Sequence, residues 1–125
     1  MANSKYLLNG IKAGDIMCWD VLTQCQNTLK VTLRDSKNVY FEYEKHSTDT
    51  KCNVLGQNNA VAVEDDPCLY VDIPNSHGIK ECSYSQAIVA EGVDAGKVFS
   101  ICIEDYTDND YNDLYINVCS WHKKG

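Results

Sequence analysis

No uninterrupted apolar run in the 125 residues approaches the roughly 18 to 20 that a bilayer-spanning helix needs, so membrane insertion by a helix is not expected. The stretch from Met1 to Gly14 lacks both a continuous apolar segment and a small-residue cleavage site. No secretory signal is visible, and the expected location is cytoplasmic, or outside the cell by a route that needs no leader. Cys-x-x-Cys is absent, which removes support for thioredoxin-like redox chemistry and for a zinc ribbon. Basic residues are outnumbered, 11 against 18 acidic, and a net charge of −7 argues against nucleic acid or an anionic membrane as partner. No dozen-residue window holds a capped helical period, and there is no internal repeat, low-complexity tract or linker.

What is present fits one compact domain over residues 1–125. Apolar and β-branched runs recur at strand spacing, over 15–21, 29–33, 39–43, 60–63, 68–73, 86–90, 98–103 and 114–119. Turn-forming clusters separate them: Asp35-Ser36-Lys37-Asn38, Gly56-Gln57-Asn58-Asn59, Pro74-Asn75-Ser76-His77-Gly78 and Asp94-Ala95-Gly96. Leu29, Val31 and Leu33 alternate with Lys30 and Thr32, the period-2 mark of a half-buried strand. Short strands without helices to cover a parallel sheet predict an antiparallel β-sandwich. Seven cysteines are an odd number. With no leader visible they read as reduced thiols rather than a disulfide framework. Cys102 and Cys119, in apolar runs, are expected to be small buried hydrophobes.

Charge is concentrated in one place. Glu104, Asp105, Asp108, Asp110 and Asp113 fall within ten residues that hold no basic residue, and without them the net charge of −7 falls to −2. Like charges at that density raise one another's pKa values and cost stability unless a cation compensates them. Carboxylate and amide oxygens are what calcium selects, and the alternation of Asp108, Asp110 and Asn112 lets a curling backbone gather them around one ion. It is not an EF-hand, because the required glycine and glutamate are replaced by Asp113 and Cys119 and no helices flank the loop. Magnesium keeps more water and wants fewer carboxylates, so calcium is the better fit, and five carboxylates suggest two ions sharing bridging aspartates. Two plainer readings stand beside it: a solvated acidic hairpin tip, and a calcium that only staples strands together.

The ten residues Glu104-Asp-Tyr-Thr-Asp-Asn-Asp-Tyr-Asn-Asp113 resemble the signature of the small bacterial lectins that bind fucose and mannose through two calcium ions. Within the ten, only Tyr106 departs, standing where the family has glycine. The resemblance implies an antiparallel β-sandwich of about nine strands, assembled as a homodimer or homotetramer, with two Ca2+ per subunit. It implies metal contacts from Glu104, Asp108, Asp110, Asn112 and Asp113, and a sugar-binding role for Asp105, Asp108, Asp110 and Asp113. A backbone carbonyl at Leu22 matches a further metal contact, and Thr23-Gln24-Cys25 matches the loop that tunes sugar preference, with Thr23 and Gln24 as sugar-binding residues. The family's terminal glycine carboxylate reaches a partner's metal site. Gly125 matches it, although His122-Lys123-Lys124 and a tail two residues longer precede it. The implied ligands are monosaccharides or the terminal sugars of glycans, whose neighbouring hydroxyls displace water from the ions.

Rival chemistry has less behind it. A glycosidase needs two carboxyl groups set apart across a cleft, one with a raised pKa, whereas these acids crowd one loop, so an enzyme is not expected. His46, His77 and His122 lie in polar surroundings and read as surface residues, and the Cys119–His122 spacing is half a zinc site without a second half. Trp19 and Trp121 read as core or interface residues rather than sugar-stacking ones. Tyr111 is expected to pack beneath the acidic loop. The alternative to a sugar-binding protein is a β-sandwich adhesin or assembly module with purely structural calcium.

Overall fold

The computed structural model describes residues 2–105 and 111–122 and is an antiparallel β-sandwich of nine strands, with no helix among the described residues. In chain order these are β1 (Ala2–Leu7), β2 (Ile16–Thr23), β3 (Leu29–Arg34), β4 (Val39–Lys45), β5 (Asn53–Val61), β6 (Cys68–Ile73), β7 (Lys80–Ala90), β8 (Val93–Glu104) and β9 (Leu114–Trp121). One sheet has the order β1-β6-β3-β4 and the other β5-β2-β9-β8-β7.

Period-2 patterning builds the core. Met17, Trp19 and Val21 of β2 point inward, as do Leu29, Val31 and Leu33 of β3, Leu69, Val71 and Ile73 of β6, and Leu114, Ile116 and Val118 of β9. Burying such a side chain stabilises the fold by about 1.5 to 3 kcal/mol each before conformational entropy is charged against it. Leu8 and Ile11, in the connection between β1 and β2, close one end of this core. Trp19 is a core residue whose indole N–H donates to the Tyr43 hydroxyl at 2.9 Å, linking the two sheets.

Several expectations are corrected. Strand β1 is not among the runs read from the sequence; its segment Ala-Asn-Ser-Lys-Tyr-Leu is polar because it pairs only with β6, at a sheet edge. Gly56-Gln57-Asn58-Asn59 is no turn but the middle of β5, an edge strand paired only with β2. Asp94-Ala95-Gly96 likewise lies inside β8, where the register steps from Ile88–Gly96 to Val89–Asp94 and leaves Ala95 as a bulge. Gly96 is needed there, since a Cβ would stand 2.1 Å from the Ser120 carbonyl oxygen. The turn itself is Glu91-Gly92, both at positive φ (55° and 78°), the two-residue geometry whose twist matches an antiparallel hairpin.

Alternation also places the cysteines. Cys102 lies between the buried Ile101 and Ile103, and Cys119 follows the buried Val118, so each points to the opposite face; Cys119 is exposed and Cys102 half-buried, not core residues. All seven cysteines are free thiols. His122 is not a plain surface histidine. Its side chain is only 25% exposed, and Nδ1 stands 2.5 Å from Oδ2 of the buried Asp15. The cause is its backbone, whose N–H donates to the Ala95 carbonyl at 2.7 Å and prolongs the β8–β9 ladder past the end of β9.

Candidate metal centre

Strands β2, β8 and β9 are consecutive neighbours in the five-stranded sheet, and β2 and β8 end where β9 begins. That end of the sandwich gathers Thr23, Glu104, Asp105 and Asp113. All four are buried, and Glu104 is fully inaccessible. Three carboxyl groups withdrawn from water in one place are costly unless protonated or compensated.

The cluster is tightly cross-braced. Asp113 accepts the backbone N–H of Asp105 on Oδ2 at 2.8 Å, closing the two ends of the acidic segment onto each other. The Thr23 hydroxyl donates to the Asp113 carbonyl and accepts the Cys25 N–H at 3.0 Å. The Gln24 N–H donates to the Asn112 carbonyl at 3.2 Å, and the Tyr115 hydroxyl donates to Gln24 Oε1 at 2.9 Å. Asp105 Oδ2 accepts from Asn27 Nδ2 at 2.6 Å and from the Cys25 thiol at 3.2 Å, while the Ser76 hydroxyl donates to the Asp105 carbonyl. The loop after β2 and the turn after β6 thus both fasten onto Asp105.

Electrostatics distinguish these groups. Burial pushes the Asp113 carboxyl well above the usual carboxylate range, and a hydrogen bond with Glu104 and the charge of Asp105 push it the same way. A hydrogen bond between two carboxyl groups requires one of them to hold the proton. Burial likewise pushes the Cys25 thiol up to about 12, so it is a neutral donor to Asp105 rather than a thiolate. Lys45 is buried close by, but its Nζ donates to the carbonyls of Cys25 and Ser47 at 2.6 Å and of Asp49 at 3.1 Å. The partners described for Asp105 and Asp113 are neutral donors or other carboxyl groups. Ligand atoms of Cys25, Asp105 and Asp113 lie within 4.8 Å of one another, a spacing that suits a shared cation. Two of these three groups are carboxylates, hard oxygen donors of the kind calcium takes.

Three solved structures that share this architecture are lectins of bacteria. The high-affinity mannose-binding lectin of Ralstonia solanacearum superposes with a TM-score of 0.63 at 17% identity, over 96% of each chain. The lectin CV2L of Chromobacterium violaceum, solved in complex with alpha-methyl-fucoside, gives 0.63 and 17% over the same shares. The C-terminal domain of the BC2L-C lectin of Burkholderia cenocepacia gives 0.68 and 16%, over 98% of this chain and 97% of that one. The chain has the fold of these lectins. No protein-family model matches it, and no curated protein matches it by sequence.

Of the residues singled out from the sequence, Glu104, Asp105, Asp113, Asn112, Thr23 and Gln24 come together at this end of the sheet. Leu22 sits one residue before Thr23, opposite Tyr115 and beside a bulge at Leu55 of β5. Asp108, Asp110 and Gly125 lie outside the described residues, as does Tyr106. Tyr111 is half-buried with φ at 52°. Three participants escaped the sequence reading. Asn27 and Ser76 are ordinary polar residues 78 and 29 positions from Asp105, and no local pattern marks them. Cys25 stood in the loop matched to the family but was assigned no role there.

Proposed function

We propose that this chain is a calcium-dependent carbohydrate-binding protein, binding rather than transforming its sugar. In this reading Glu104, Asp108, Asp110, Asn112 and Asp113, with the Leu22 carbonyl, hold two calcium ions. Asp105 and the loop Thr23-Gln24 meet a fucose- or mannose-type monosaccharide. The ions would supply open coordination positions for neighbouring sugar hydroxyls; the acidic side chains accept the hydroxyl protons in charge-assisted hydrogen bonds. The observation that supports it most is the burial of Glu104, Asp105 and Asp113 together, where burial pushes the Asp113 carboxyl above the usual carboxylate range, a cost that a bound cation would relieve. The lectins that share the fold bind sugars, two of them mannose and a fucoside by their descriptions, which favours a saccharide ligand. A homodimer or homotetramer would multiply weak single sites through effective concentration.

Titration calorimetry with calcium, followed by methyl-mannoside and methyl-fucoside and then by chelator, tests the reading. Sugar heat that requires calcium and disappears with chelator is expected. A second reading, calcium as a staple with no sugar ligand, draws on the way β2 and β8 end, and β9 begins, at the acidic cluster. It predicts that chelator lowers the melting temperature while no sugar binds at any calcium concentration.

A further inference from the structure

The five-stranded sheet sets two pairs of cysteines face to face. Cys18 of β2 is the register partner of Cys119 of β9, and Cys82 of β7 is the register partner of Cys102 of β8. Residues directly opposite in an antiparallel ladder have Cα atoms about 4.5 to 5.5 Å apart and side chains on the same face. A disulfide accepts Cα separations of about 4.4 to 6.8 Å. Cys18, Cys82 and Cys119 are exposed and Cys102 is half-buried, so small reagents can reach both rungs. The other three cysteines have no such partner. Cys68 faces Leu7 and Arg34, Cys25 is buried against Asp105, and Cys52 lies just before β5.

We propose that these two rungs form a redox-modification site, closing as reversible cross-strand disulfides Cys18–Cys119 and Cys82–Cys102 by exchange with a small-molecule disulfide such as oxidised glutathione. In each rung one cysteine, as thiolate, attacks the reagent, forms a mixed disulfide and releases one reagent thiolate. The facing cysteine, having lost its proton, attacks the protein sulfur of that mixed disulfide and releases the second. Two protein thiols are oxidised by two electrons, which reduce one reagent disulfide to two thiols. The rungs resist permanent closure. Opposed residues hold their Cβ atoms about 4.5 to 5.5 Å apart, whereas a relaxed disulfide wants about 3.5 to 4.5 Å. Closure must draw the strands together, and a strained, accessible bridge of this kind is readily reduced again.

The inference stands apart from the calcium and sugar reading, and its test uses neither. The reduced chain is equilibrated in glutathione buffers from strongly reducing to strongly oxidising, quenched with an alkylating reagent, and its free thiols are counted by intact mass. Free thiols should fall from seven to three, peptide mapping should join 18 to 119 and 82 to 102, and excess reduced glutathione should restore all seven. Cys18→Ser should fall only from six to four, whereas Cys52→Ser should fall from six to two. Seven alkylated thiols at the most oxidising ratio, stable glutathione adducts in place of internal bridges, or bridges joining other cysteines would overturn the proposal.

Discussion

The ring of Tyr43 occupies the space a Cβ on Gly56 would fill: its Cζ lies 2.1 Å from that position. Tyr43 belongs to β4 in one sheet and Gly56 to β5 in the other, so the missing side chain lets an aromatic ring lie across the open edge of the sandwich. The ring stacks on Phe41 at 4.6 Å, Phe41 meets Trp19 at 5.1 Å, and the Tyr43 hydroxyl accepts the Trp19 N–H. Gly56→Ala should therefore displace three aromatic side chains at once. The expected loss is about 1 to 3 kcal/mol, read from the denaturant midpoint with tryptophan fluorescence. An unchanged midpoint would mean that the edge yields without cost.

Asn27 holds Asp105 through its side-chain amide. Asn27→Ala leaves every proposed metal ligand in place but removes the amide from the Asp105 carboxylate, leaving it the weaker Cys25 thiol donor. Calcium or sugar affinity should drop about 10- to 100-fold, the usual effect of losing a group that orients a metal-site residue. Calorimetry on the folded variant measures it, and wild-type affinities for both would show that Asp105 does not depend on the Asn27 amide for its orientation.

The raised Asp113 carboxyl makes metal-free stability depend on pH with a definite sign. An acid whose folded pKa lies above its unfolded value of about 3.9 binds its proton more tightly when folded. This group's stabilising contribution is fully present below the unfolded value and is lost as pH rises toward the raised folded one. In chelator, the melting temperature should fall between about pH 4 and neutrality through this group. Asp113→Asn should flatten that fall. If a cation replaces the proton, calcium binding should also release protons, seen as a calorimetric heat that varies with buffer ionisation enthalpy.

Calcium should protect the fold by mass action. At a hundred times its dissociation constant, a ligand confined to the folded state adds about 2.7 kcal/mol. Thermal unfolding with and without chelator should show a concentration-dependent upward shift. Asp110→Ala should abolish most of it, together with sugar binding, if Asp110 bridges two ions. Retained calcium stoichiometry in that variant would count against the bridged pair.

The Thr23 hydroxyl joins the Asp113 carbonyl to the Cys25 N–H. Thr23→Val keeps the shape and strips both hydrogen bonds, leaving two buried backbone groups unpaired, at about 1 to 3 kcal/mol each. Stability should fall and calcium affinity with it, whereas Thr23→Ser should retain most of both. Wild-type behaviour of Thr23→Val, with the loss falling on Thr23→Ser instead, would assign the effect to the methyl group.

Legibility in the sequence followed the physics of each element. The run 68–73 is β6 residue for residue, and 29–33 is β3 to within one position, because a strand between two neighbours with one face in the core must alternate. The edge strands β1 and β5 carry asparagine, serine, glutamine and glycine. They are held by ladder bonds on one side and by single close contacts such as Gly56 on Tyr43, none of which has a period. Glu104, Asp105 and Asp113 were conspicuous because unbalanced charge is rare in a short stretch. Asn27 and Ser76 are neutral, and only the closing of the sandwich brings them to Asp105.

The Glu91-Gly92 reversal and the acidic cluster stand at opposite ends of β8, a strand of 12 residues, which is about 40 Å of extended chain. A dye, a bead or a surface tether attached at the reversal would leave the far end of the sandwich, where Glu104, Asp105 and Asp113 gather, clear of the attachment. Immobilised in that orientation, the protein keeps the proposed binding end clear of its attachment point.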